Sequence, residues 1–176
     1  MTASRIDLLT KQLDLSWALF EHHLATLDDT VCLWEPAPHC WTVRPDEQGR
    51  WIPDWQVPEP TPVPAFTIGW TTWHMGYWWT TTLGHCFGSG APAREEIFWP
   101  GDLTSAVEWL RGLKDEWRAA LAGLTDADLD STSRTAGLEW GQELTLSDVA
   151  GWLNVELTKN IAEIGFVNIL YGARNA

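Results

Sequence analysis

Phe66-Thr-Ile-Gly-Trp-Thr-Thr-Trp-His-Met-Gly-Tyr-Trp-Trp-Thr-Thr-Thr-Leu83 is the stretch on which the fold turns. It starts just after Pro64 and fades at Gly84, with apolar side chains at nearly every angle around a helical wheel. A helix that is apolar all round is buried on several sides, so this segment predicts the inner rod of a helical bundle. Three further stretches carry helical periodicity. Ser4 to about Leu27 places Ile6, Leu9, Leu13, Phe20, Leu24 and Leu27 at three- and four-residue spacing, with Ser4 and Asp7 as a capping-box-like start. Asp102, after Pro100 and Gly101, is a good N-cap for a helix carrying Leu103, Val107, Leu110, Trp117, Leu121 and Leu124. Thr145, with Asp148 three residues on, opens a fourth helix through Leu146, Ala150, Leu153, Leu157, Ile161 and Ile164 that fades near Gly172.

Between the first two helices the chain changes character. Residues 28–64 hold eight of the ten prolines together with Trp34, Trp41, Trp51 and Trp55. Such proline density excludes regular helix and interior strand, yet the segment is too apolar for a flexible linker. It reads as an ordered crossover, about 28–65, that lays its tryptophans on the bundle. The expected fold is therefore all-α: a four-helix bundle with a long Trp/Pro-rich crossover between helices 1 and 2. Residues 125–143 leave open a short turn or a hairpin.

The chain of 176 residues is long enough for one core and crowded for two, so a single domain over 1–176 is expected. Eleven Lys+Arg against twenty-four Asp+Glu give a formal net charge of −13, which disfavours binding to nucleic acid or anionic lipid. The most apolar run, Phe66 to Tyr77, is too short to span a bilayer, and Met1 to Asp7 has no apolar signal region. Cys32, Cys40 and Cys86 form no paired framework and read as reduced thiols, so a cytoplasmic location is expected. No thiol has a cationic cluster beside it in sequence to make it reactive. Fourteen tryptophans are more than a core of this size usually needs, and they serve either packing or the wall of a pocket or interface. Large exposed apolar surface of this kind would also support a homodimer.

Gly-rich phosphate loops, Cys-x-x-Cys, His-Glu-x-x-His and Gly-x-Ser-x-Gly are all missing from the sequence. What remains for chemistry is a bundle-core constellation. His74 lies mid-helix with Trp70 and Trp78 one turn away on either side. On the fourth helix Trp152, Glu156 and Asn160 are spaced by four and share one face. A carboxylate on so apolar a stretch, if buried, needs a metal, a histidine or a lysine, and otherwise it faces solvent. Glu163 is open to the same solvent-facing account. His85 reads as a helix-end cation, and His22 and His23 as surface or end-of-helix residues.

Three segments carry a family resemblance: Trp34-Glu-Pro-Ala-Pro38 with Trp41-Thr-Val-Arg44, then Thr67-Ile-Gly-Trp70 leading into Trp73-His-Met75, then Asn154 to Gly165 followed by Leu170-Tyr171. In this order they resemble the DinB-like (DinB/YfiT) superfamily of four-helix bundles, which includes the amino-terminal domain of mycothiol-dependent maleylpyruvate isomerase and the bacillithiol transferases. Metal-binding members use one histidine of the second helix and a His-x-x-x-His pair of the fourth. His74 matches the first, whereas Glu156 and Asn160 stand where the pair would be.

Two readings follow. In one, the resemblance implies a divalent metal, zinc or nickel, on His74, Glu156 and Asn160, which activates a low-molecular-weight thiol for transfer or isomerisation of a small molecule. Trp70, Trp78 and Trp152 then wall the pocket, and Glu156, where it is not a ligand, acts as a base. In the other, the departures at 156 and 160 mark a degenerate metal site. The protein is then a metal-free small-molecule-binding or stress-associated protein using the same aromatic cavity.

Overall fold

The computed structural model describes residues 4–174, so Met1 to Ala3 of the stretch read for a signal region lie outside it. Four long helices form a bundle: α1 (Arg5–Leu24), α3 (Ile68–Cys86), α4 (Leu103–Ala122) and α6 (Leu146–Arg174). Two short helices, α2 (Asp29–Cys32) and α5 (Asp126–Leu129), lie between them. Each long helix falls within about three residues of its sequence expectation. The caps explain why. Thr67 accepts the Trp70 N–H at 3.1 Å, Asp102 accepts the Ser105 N–H at 2.8 Å, and Thr145 and Asp148 satisfy one another's backbone N–H groups in a complete capping box. At the first helix the expectation is only half met. Ser4 accepts the Ile6 N–H at 3.1 Å, but its hydroxyl turns to Asp126 rather than sharing a box with Asp7.

α6 packs against α1 and α3, and α4 against α3, which makes α3 the central rod. Its Gly76 is required by that packing, since a Cβ there would lie 1.9 Å from the Trp109 ring of α4. Trp17, Trp70, Trp73, Trp79, Trp99 and Trp117 are buried, so much of the tryptophan excess is core. Several indoles also pin loops. Trp73 donates to the Ile97 carbonyl at 2.7 Å, Trp99 to the Thr72 hydroxyl at 2.9 Å and Trp70 to the Asp54 carbonyl at 2.8 Å.

The crossover is ordered, and it holds more regular structure than its prolines suggest. Cys40–Trp41 (β1) pairs in parallel with Ala65–Phe66 (β4), while Val43–Pro45 (β2) pairs antiparallel with Trp51–Pro53 (β3). Both are two-stranded ladders, so every strand is an edge and proline leaves no interior N–H vacant. Arg44 joins Glu35 at 3.0 Å and Asp54 at 2.5 Å, tying the ladders to the start of the loop. Residues 125–143 form α5 and a series of turns, with no strand among them. No helix of the described residues is long and apolar enough to cross a membrane.

Candidate functional site

The middle of α3 and the middle of α6 face one another, and His74, Glu156 and Asn160 meet there. The His74 ring is buried and stacked on Trp70, with centroids 4.8 Å apart and planes at 16°. Its Nε2 accepts the indole N–H of Trp78 at 2.9 Å. Because indole only donates, that nitrogen holds a lone pair and the neutral ring carries its proton on Nδ1. Nδ1 lies 3.3 Å from the Asn160 Oδ1 and 3.6 Å from the Glu156 Oε1. Burial drives the His74 pKa down to about 4, outweighing the opposing pull of Glu156, so the ring is neutral near pH 7.

From Asn160 the polar contacts continue along α6. Its Nδ2 donates to the Glu156 Oε1 at 3.3 Å. Lys159 reaches the same oxygen at 2.9 Å and the Glu163 Oε1 at 3.6 Å, so one ammonium serves two carboxylates. Burial, aided by the charge of Glu156, raises the Glu163 pKa against the lowering effect of Lys159.

This geometry corrects the metal expectation. Among the described residues no group of three or more His, Cys, Asp or Glu side chains could hold a metal ion. The physical reason is that the donors are already spent. Trp78 occupies one imidazole nitrogen and a proton the other, Asn160 offers a neutral amide, and Lys159 compensates the charge of Glu156. Space for a thiol co-substrate is also lacking. The void lined by Met75, Trp78, Trp79, Leu153, Glu156, Leu157 and Asn160 is about 10 Å³, room for about one water molecule. Zinc or nickel ligation, metal activation of a thiol co-substrate and the metal-binding transferase assignment are therefore set aside. The chain's own thiols take no such role either. Burial pushes Cys32 up to about 12 and Cys40 and Cys86 up to about 11, far from a thiolate at neutral pH.

The three tryptophans expected as pocket walls divide. Trp70 is buried between His74, Trp41 at 5.3 Å and Phe66 at 5.3 Å. Trp78 meets Trp152 edge-on at 5.1 Å, and Trp152 in turn contacts Trp140 at 4.2 Å. Trp78 also borders an open hollow of about 380 Å³ shared with Tyr77, His85, Arg94 and Trp140. His85 falls in the last turn of α3, as expected, and His23 packs so closely on α6 that a Cβ at Gly165 would lie 2.6 Å from its ring.

A second hollow was not anticipated from sequence. Pro36, Ala37, Ala65 and Phe66 of the crossover face Glu163, Phe166, Val167 and Leu170 of α6 across about 360 Å³. Glu163 is the one charged residue lining it, and its Oε2 is buried with no hydrogen-bond partner among the described residues. Glu163 stands two turns beyond Glu156 on the same face of α6, just before Phe166 and Val167. That spacing was the available signal, but nothing in it points to residues 36–37 and 65–66.

Residues 12–164 match the model of the DinB superfamily, and the chain belongs to that superfamily. No curated protein and no solved structure matches it.

Proposed function

We propose that this DinB-superfamily chain is a metal-free binding protein that holds an apolar small molecule between its crossover and the carboxyl-terminal half of α6. The observation that carries the reading is the hollow of about 360 Å³, whose lining residues are apolar but for Glu163. Ligand sites have this make-up: mostly hydrophobic surface and a few fixed polar groups. Trp70 enters as the stacked support behind Phe66, while Glu156 holds Lys159 beside the hollow. Trp78 lines the separate opening of about 380 Å³, and Trp152 packs against Trp78 and Trp140. We take the chain to act as one domain, and its three free thiols suit a reducing compartment. Kinship with the maleylpyruvate isomerase domain and the bacillithiol transferases is proposed for the scaffold alone, on the motifs at residues 34–44, 67–75 and 154–171.

Isothermal titration with 1-octanol tests the reading. Saturable one-to-one binding is expected, with loss of at least about tenfold in affinity (~1.4 kcal/mol) in Ala37→Trp, which fills the hollow. Absence of saturable binding, or unchanged binding in that variant, rejects it.

A second copy of the chain is the partner that the side of α6 facing α1 fits. Leu15 and Leu19 of α1 and Val155 of α6 are exposed beside a groove floored by Gly151 and Thr158. In a chain of net charge −13 no carboxylate lines this groove, because Asp14 and Glu21 are drawn toward α4 by Arg118 and Arg111. Like-charged copies could meet there without repulsion, in a two-fold arrangement that buries the same face twice. Sedimentation is expected to give a dimer that Leu15→Asp converts to monomer. A native monomer at high concentration overturns the assignment.

A further inference from the structure

Resting on that reading of the hollow, we propose that its ligand is an uncharged, planar aromatic compound of one or two rings that stacks on Phe66 and meets Phe166 on its other side. Behind the crossover wall the protein's own rings form a column. His74 and Phe66 stand four residues to either side of Trp70, and both lie nearly parallel to its indole, at 4.8 Å and 16° for His74 and at 5.3 Å and 22° for Phe66. The indole is itself held by the Asp54 carbonyl at 2.8 Å. Phe66 ends this column and lines the hollow. Its Trp70 side is already covered, so a ring seated in the hollow extends a stack that is in place before it arrives, and little ordering is left for binding to impose. On the α6 wall, Phe166 lines the same hollow and is 61% exposed, a large ring without cover in the unliganded chain.

The remaining walls decide what the ligand lacks. Pro36, Ala37, Val167 and Leu170 present carbon, and the unpartnered Oε2 of Glu163 is buried. A charged or strongly polar group carried inside would therefore lose its water and gain no hydrogen bond in return. A saturated chain suits the carbon walls as well as a ring does, but it gains nothing from the faces of Phe66 and Phe166. Aromatic pairs contribute beyond the area they bury. A rigid ring also has no rotatable bonds to immobilise, as an alkyl chain does. The size agrees: an enclosed apolar cavity of about 150 Å³ holds benzene, so about 360 Å³ leaves room for a second ring.

The test compares 2-phenylethanol, 2-cyclohexylethanol and 1-octanol, alcohols of equal carbon number, by isothermal titration into the full chain at neutral pH. Each affinity is divided by the compound's partition coefficient from water into an apolar solvent, which removes the general drive to leave water. On that scale 2-phenylethanol is expected to exceed both saturated alcohols by at least about fivefold, the combined effect of two ring contacts. Phe66→Leu and Phe166→Leu are each expected to reduce the preference to about twofold, while the saturated alcohols stay within about twofold of their native affinities. Equal normalised affinities in the native protein, or an aromatic preference that survives in both leucine variants or in Ala37→Trp, overturns the proposed ligand class. The hollow still stands if the saturated alcohols bind and Ala37→Trp weakens them. Failure of all three probes to bind overturns both the ligand class and the hollow. The native protein's ranking needs no variant, and Phe166 lies on the helix surface, so the test holds even if Phe66→Leu folds poorly.

Discussion

Two places along α6 set a glutamate beside aromatic rings, and they have opposite characters. At Glu156 the carboxylate is met by Asn160 and Lys159, its neighbour His74 has both ring nitrogens engaged, and the remaining space is about 10 Å³. At Glu163, two turns on, one carboxylate oxygen has no partner among the described residues and the space beside it is about 360 Å³. Residue type alone favoured the first place, since histidine, glutamate and tryptophan together suggest chemistry. Satisfaction and room favour the second. Buried polar groups that are fully paired hold a fold together, whereas open space between apolar walls is where a ligand gains free energy.

The comparison can be broken most forcefully at His74. Replacement by alanine removes a buried ring and takes away the partner of the Trp78 N–H and of the Asn160 Oδ1. Cavity and desolvation costs of this kind add to about 3–4 kcal/mol of lost stability. Urea denaturation is expected to show that loss, with octanol binding at the hollow unchanged once the variant is folded. A loss below about 1 kcal/mol would mean that the His74 network is not the satisfied structural core described above.

Acid provides a gentler attack on the same region. Burial holds the folded-state His74 pKa near 4, below its ordinary value of about 6.5. The unfolded chain therefore binds this proton first, so the contribution of neutral His74 is complete above about pH 6.5. It is lost progressively as pH falls through the folded value, with a ceiling on the order of 3 kcal/mol. Thermal melts between pH 7 and pH 4 are expected to show that decline in the native protein and a flatter profile in His74→Gln. Parallel profiles would remove His74 as the source.

How much of this was legible in the sequence follows from how local each signal is. The caps at Thr67, Asp102 and Thr145 and the apolar spacing of the long helices are matters of three or four residues, and the helices stand where those signals put them. The i, i+4 spacing sets Glu156 and Asn160 on one face of α6, but their meeting with His74 was not readable, because it depends on how α3 and α6 pack. What spacing could not convey was occupancy. That the Trp78 indole takes the Nε2 lone pair depends on side-chain orientation, and that Lys159 rather than an ion neutralises Glu156 depends on its reach. The hollow was less readable still. Its crossover wall is assembled by the β1–β4 ladder, which sets residues 36–37 near 65–66, and its other wall lies about a hundred residues further along the chain on α6.

The smallest expected effect separates the two glutamates most sharply. Methionine is close to glutamate in size and carries no polar oxygen. At position 163 it would remove a buried carboxylate oxygen that has no partner among the described residues, at the cost of a partly exposed contact with Lys159 at 3.6 Å, and exposed ion pairs contribute little. The unliganded protein is therefore expected to gain about 0.5–1 kcal/mol, a rise of a few degrees in melting temperature. The same substitution at Glu156 strips Asn160 Nδ2 of its acceptor and Lys159 of the nearer of its two, and is expected to lower stability by a comparable or larger amount. Opposite signs for one substitution at two positions of one helix would identify Glu163 as a residue kept at some expense to the fold, which is the signature of a group retained for binding. Equal signs would make the two sites alike and return Glu163 to the role of a surface carboxylate.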